Sequence, residues 1–198
     1  MRRLSQHALA LPFALMAVVP AYAEPIEFTI DPEHFSISFA VNHLGYASVL
    51  GFFTEAEGHF AYDEETGEFG AGKVVVQSDS VFTDNDDRDE HLRGDDFLNA
   101  EEYPDIVFEF TDFTKKGDKE GVLAGDLTML GQTHPVSLDV TLNKTAEYPF
   151  GHGKYTLGLS ATTTIQRSEW GMDYGLDMVG DDVHLRFELE ANAKSGSF

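Results

Sequence analysis

The sequence predicts an all-β fold in which eight antiparallel strands close into a barrel, with one short helical segment near residues 86–98. Three observations carry that expectation. From Glu24 onward, apolar and polar residues alternate in runs separated by Gly, Asp, Asn and Pro, the period-two pattern of half-buried strands. Each run has one apolar face, and closure into a barrel hides every such face without leaving an open edge. A two-sheet sandwich meets the same pattern. Runs of about ten residues exceed the five or six usual for sandwich strands and favour the barrel.

The first long run sets Phe35, Ile37, Phe39 and Val41 against Ser36, Ser38, Ala40 and Asn42. After a bend over residues 45–51, a second run turns Phe52, Ala56, Gly58, Phe60 and Tyr62 inward, opposite Glu55, Glu57 and His59. The turn from Asp63 to Gly67 leads to a third, with Val74, Val76 and Ser78 inward. In the next segment the acids Asp84, Asp86, Asp87, Asp89 and Glu90 precede His91, Arg93 and Gly94, an order that suits the dipole of a short helix. Pro104 then returns the chain to strand. Ile106, Phe108 and Phe110 face inward in the fourth run, Leu123, Leu127 and Met129 in the fifth. A tight connection at residues 130–133 opens the sixth, with Val136, Leu138, Val140 and Leu142. The seventh aligns Tyr155, Leu157, Leu159, Ala161 and Ile165; the eighth aligns Val183, Leu185, Phe187 and Leu189.

Residues 1–23 stand apart from this pattern. Arg2 and Arg3 precede an apolar run from Ala8 to Pro20 that ends in Ala21-Tyr22-Ala23, the three-part layout of a secretory signal cleaved before Glu24. The run is shorter than the ~20 apolar residues a membrane helix needs. A single domain over residues 24–198, free in a compartment outside the cytoplasm, is therefore expected. With no cysteine, the fold has no disulfide, thiol nucleophile or thiolate metal site. Losing two arginines and no acid would take the formal charge from −22 to −24, which makes nucleic acid and anionic membrane surfaces poor partners.

Chemistry-bearing motifs are sparse. His34, His43, His59, His91, His134, His152 and His184 show no HxH or HExxH spacing, and the acidic run lacks the glycine and distal glutamate of a calcium loop, so no metal or cofactor is expected. There is no GxSxG elbow and no Ser-x-x-Lys to activate a nucleophile. What stands out is the inward face, where Phe35, Phe39, Phe52, Phe60, Phe108, Phe110 and Phe187 fall among the chain's 16 phenylalanines. Such a barrel either fills itself with side chains or holds one ligand, and periodicity leaves both open.

Four motifs add a further reading. Phe39 to Gly45 (FAVNHLG), Val75 to Asn99 with Tyr103-Pro104, Gly125 to Val136 (GDLTMLGQTHPV) and Arg167 to Met172 (RSEWGM) occur in the order of the YceI family, which the chain resembles over residues 24–193. That resemblance implies a lipocalin-like barrel binding a polyprenoid or isoprenoid quinone in the periplasm. It implies no catalytic residue, and no enzyme activity is expected. Combined with the alternation, the fold would line its ligand site with Phe35, Ile37, Phe39 and Val41 from the first run and Phe108 and Phe110 from the fourth. Leu127 and Met129, Val136 and Leu138, and Leu157 and Leu159 follow from the next three, with Arg167 and Trp170 from the last motif. The candidate partners are the isoprenoid lipid and a membrane redox protein. The alternative is a secreted hydrolase or isomerase acting on a lipid.

Overall fold

A computed structural model of the chain describes residues 24–194. The expected leader and its cleavage point lie outside the described residues. Ten strands are formed: β1 (Ile26–His43), β2 (Ala47–Phe53), β3 (Ala56–Asp63), β4 (Glu68–Gln77), β5 (Val81–Phe82), β6 (Asp105–Lys115), β7 (Glu120–Met129), β8 (Gln132–Glu147), β9 (Tyr155–Gln166) and β10 (Val179–Ala193). Helix α1 (Asp86–Arg93) follows β5, and short 3-10 turns occupy Ser78–Ser80 and Arg167–Trp170.

Eight of these strands close the expected antiparallel barrel. The order β1-β3-β4-β6-β7-β8-β9-β10 returns to β1 through the β10–β1 pairing, which places Phe39 beside Leu185 and Phe35 beside Leu189. β1 is long enough to serve two partners on its other edge: residues 26–29 pair with β3 and residues 37–43 with β2. β2 and β5 thus extend the wall at the end where β1 terminates, with Phe52 opposite Phe82.

The second run of alternation is where the sequence reading needs correction. The chain bends at residues 44–46, not over 45–51, and the run divides into β2 and β3 at Thr54-Glu55. That break resets the parity of the strand. Phe52, expected inward, points outward and is 44% exposed, while Phe53 turns in to pack against Phe39 with ring centroids 5.8 Å apart. β1 also begins nine residues before the first run that alternation marks. Its register slips between Ile30 and Phe35, where Asp31-Pro32 cannot sustain a regular ladder.

β5 leaves backbone acceptors at a wall edge, and Arg93 covers them. Its Nε donates to the Asp79 carbonyl at 2.6 Å and its Nη2 to that of Val81 at 2.9 Å. The helix begins where the acids predict. Asn85 caps it, its side chain accepting from the Arg88 N–H at 2.9 Å, with Asp86, Asp87 and Asp89 in the first turn and His91 and Arg93 in the last. Beyond Gly94, Phe97 and Leu98 are buried in turns, so the helical segment ends at Arg93.

Candidate ligand cavity

The barrel is hollow. A cavity of about 550 Å³ runs along its interior, within the range that holds a ligand of drug size or larger. β1 crosses the whole length, so its residues give the axis. Phe28 sits near one end with Leu157 and Ala191, each 0% exposed, and these side chains fill the barrel there as a plug. His43 marks the other end, where α1, the β1–β2 hairpin and the loop after Trp170 meet.

Of the fourteen residues expected at the site, twelve line this cavity. Phe35, Ile37, Phe39 and Val41 form one wall, Phe108 and Phe110 another, and Leu127, Met129, Val136, Leu138 and Leu159 continue the surface to Arg167. Leu157 does not line it, because its inward face lies at the plugged end. Nor does Trp170, which is only 1% exposed in the wall itself. Its indole N–H donates to the Leu127 carbonyl at 3.1 Å, and its ring stands edge-on to His134 at 5.1 Å.

Close approach of rings to glycines keeps the interior open. An eight-stranded barrel has room either for its own side chains or for one ligand. Here Phe39 lies flat over Gly51, its cross-strand neighbour, and Phe110 covers Gly72 while Phe108 covers Gly125. A Cβ on Gly51 would fall 2.2 Å from the Phe39 ring, and one on Gly72 would fall 2.5 Å from Phe110. Each ring therefore occupies space a side chain would otherwise take.

The titratable lining groups gather at the helix end: His43, Arg88, His91, Arg167 and Tyr174, with Glu188 the exception on β10. Arg167 is 2% exposed, yet its guanidinium is well supplied with acceptors. Nε donates to the Gly180 carbonyl, Nη1 to that of Met172, and Nη2 to those of Tyr174 and Val179, all at 2.7–3.0 Å. Burial lowers its pKa, against the opposing effect of Asp181 and Asp173. The arginine thus ties the 172–178 loop to the start of β10. Arg88 is committed in the same manner: Nε donates to the Thr83 hydroxyl at 2.7 Å and Nη2 to the Thr83 carbonyl at 2.6 Å. Buried Asp89 fixes that threonine, accepting from its N–H at 2.8 Å and from its hydroxyl.

Of the helix-end residues, Arg88, His91 and Tyr174 come from a helix and a loop that alternation does not reach, whereas His43 continues the inward face of β1 in step with Phe39 and Val41. His91, Phe97 and Tyr174 form a ring cluster there with centroids 5.0–5.4 Å apart. Val183, Leu185, Phe187 and Leu189, outside the expected site, also line the cavity, on the face that their alternation marks.

Comparison with known proteins agrees with this architecture. The chain is 32% identical over 183 residues to a UPF0312 protein of Pseudomonas aeruginosa, covering 92% of this chain and 94% of that one. A Campylobacter jejuni YceI protein of known crystal structure is 31% identical and superposes with a TM-score of 0.71, covering 78% of this chain and 90% of that one. A polyisoprenoid-binding domain from Saccharophagus degradans shares the fold, at a TM-score of 0.65 and 12% identity, over 86% of this chain and all of that one. With the YceI-like domain family matched across residues 28–191, on the barrel strands and the helix described above, the chain belongs to the YceI family.

Proposed function

We propose that this protein binds and carries a long apolar isoprenoid lipid, a polyprenoid or isoprenoid quinone, in the periplasm. The observation that carries this reading is the cavity's division along its axis. Apolar side chains from every barrel strand line its length, one end is plugged, and polar groups gather at the other. An amphiphile with a long tail and a small polar head matches that layout. The Saccharophagus domain of the same fold, described as polyisoprenoid-binding, supports the choice of tail. The hydrolase or isomerase alternative finds no support in the family match or in the structural relatives.

The head is neutral, a quinone or free prenol in preference to a pyrophosphate. A buried pyrophosphate needs paired cations or a cradle of N–H groups. Arg88 and Arg167 reach the cavity, but their guanidiniums are committed to carbonyls and a hydroxyl. Arg93 is committed to the β5 edge. If the head is a quinone, a membrane redox protein is the fitting exchange partner.

Organic extraction of the exported protein, followed by mass spectrometry, tests the reading. An intact neutral prenyl lipid is expected. Turnover of added lipid would favour the enzyme instead, and tight, salt-sensitive retention of a prenyl pyrophosphate over a quinone would overturn the headgroup assignment.

A further inference from the structure

Nine large apolar side chains are exposed among the described residues, and eight of them lie on three segments at the helix end. Leu44 and Tyr46 form the tip of the β1–β2 hairpin, and Leu50 and Phe52 continue along the outer face of β2 to Phe82 on β5. Tyr174, Leu176 and Met178 stand on the loop before β10. The hairpin and the loop are joined, since the Leu44 N–H donates to the Met178 carbonyl at 2.8 Å.

Leu44 is an unusual choice for its place. Its φ is +54°, followed by Gly45 at +73°, and the Gly45 N–H donates to the Asn42 side chain at 2.9 Å. Turns with two positive φ values favour Asn-Gly or Asp-Gly, because a leucine is strained there. Here that strained residue is 51% exposed and the adjacent Tyr46 is 91% exposed. Neither side chain serves the core. Apolar exposure concentrated in this way marks an interaction surface.

We infer that this rim docks the protein on the surface of a zwitterionic bilayer, with the hairpin tip and the 174–178 loop entering the headgroup layer, so that a lipid tail passes between membrane and cavity. The inference rests on the cavity being a lipid site. Two observations choose a bilayer as the occupant. Tyr174 and Met178 are exposed and also line the cavity, so the outer apolar surface and the inner one are continuous and a tail need not cross water. Residues 44–53 carry no charge, and residues 172–179 carry only Asp173 and Asp177. Attachment is therefore apolar, through aromatic rings with polar tips of the kind that settle at a membrane interface. Anionic lipid is disfavoured by those aspartates and by the acids of α1.

The test is flotation of the exported full-length protein with phosphatidylcholine vesicles, and with vesicles one part phosphatidylglycerol to about two of phosphatidylcholine. The variant combines Leu44→Asn, Tyr46→Ser and Leu176→Ser, none of which lines the cavity, and asparagine suits the positive φ at position 44. Wild type is expected to float with phosphatidylcholine and less with the anionic mixture, the gap narrowing as salt rises. The variant should melt normally, keep its extractable lipid, lose about tenfold or more in partition and take up lipid from vesicles correspondingly slowly. Undiminished partition by the variant, or no flotation of wild type with either vesicle, overturns the inference; the second result assigns the rim to a protein partner. Wild type that floats but yields no extractable lipid would instead refute the lipid-carrier reading while leaving the docking surface in place.

Discussion

Gly51→Ala perturbs the cavity through one contact. The new Cβ would lie 2.2, 2.6 and 2.8 Å from three atoms of the Phe39 ring, and these are its three nearest neighbours. To reach ordinary contact at about 3.5 Å the ring must move roughly 1.3 Å, and the open side is the cavity. Gly51 has no positive φ, so alanine fits the backbone and gains about 0.4–1 kcal/mol from a less flexible unfolded chain. Displacing the ring off its rotamer and against Phe53 costs about 1–3 kcal/mol. The net loss is about 1–2 kcal/mol, or a melting temperature lower by about 2–8 °C in a chain of this size. Lipid retention should fall more sharply than stability, because the ring is driven into the space the tail occupies. Phe39→Leu in the same chain should restore both. A double-mutant cycle on melting temperature and on extractable lipid reads the coupling, expected at about 1 kcal/mol or more. Additive effects of the two substitutions would show that Phe39 does not depend on Gly51 for its place.

Arg167→Met should destabilise the protein by about 3–5 kcal/mol in chemical denaturation, since it strips four carbonyls of their donor, and Arg167→Lys should not rescue it because an ammonium cannot span that fork. Hydrogen exchange should rise first in the 172–178 loop, and a uniform rise would refute that tie. The Asp31–His34 pair gives a pH dependence with two limbs. Burial raises the Asp31 pKa, but the Glu33 N–H, His34 and Asn192 outweigh it and hold the carboxyl below its ordinary 3.8; the hydrogen bond to Asp31 holds His34 above its ordinary 6.5. The carboxylate's contribution is present above 3.8 and lost as pH falls through its depressed folded value. The imidazole's is present below 6.5 and lost as pH rises through its raised folded value. Stability should therefore be highest between these limits, and Asp31→Asn should flatten both limbs in denaturation series across pH; an unchanged profile would refute the pairing.

Much of the barrel was legible because alternation is a local signal. From β6 to β10 each strand reads correctly from its own residues, and the order of acids, His91, Arg93 and Gly94 marks α1. The errors fall where one residue shifts the parity. Thr54-Glu55 turned Phe52 outward, and the irregularity at Asp31 hid the start of β1. Leu157 failed for a different reason. It faces inward as expected, but alternation says nothing of position along the barrel axis, and at that level Phe28 and Ala191 leave no space. Trp170 and the helix-end residues Arg88, His91 and Tyr174 lie outside strands, where period-two reasoning has no purchase.

Whether the barrel was packed or hollow could not be read from the phenylalanines alone, because large rings normally fill such an interior. The deciding residues are the glycines facing them. Each such glycine removes a side chain from the wall and lets a ring settle into the strand surface: Phe39 on Gly51, Phe110 on Gly72 and Phe108 on Gly125. Had those three positions carried ordinary β-branched residues, the rings would project inward and meet across the axis. The plugged end makes the contrast, since Phe28 stacks on Phe60 there at 5.8 Å, beside Leu157 and Ala191. Along the hollow length the rings of Phe39, Phe108 and Phe110 each have a glycine beneath them, while Phe113 rests on Gly121 at the filled end and packs on Phe69 instead. The pairing of ring and glycine depends on strand register, which explains why a reading of single strands could not reach it.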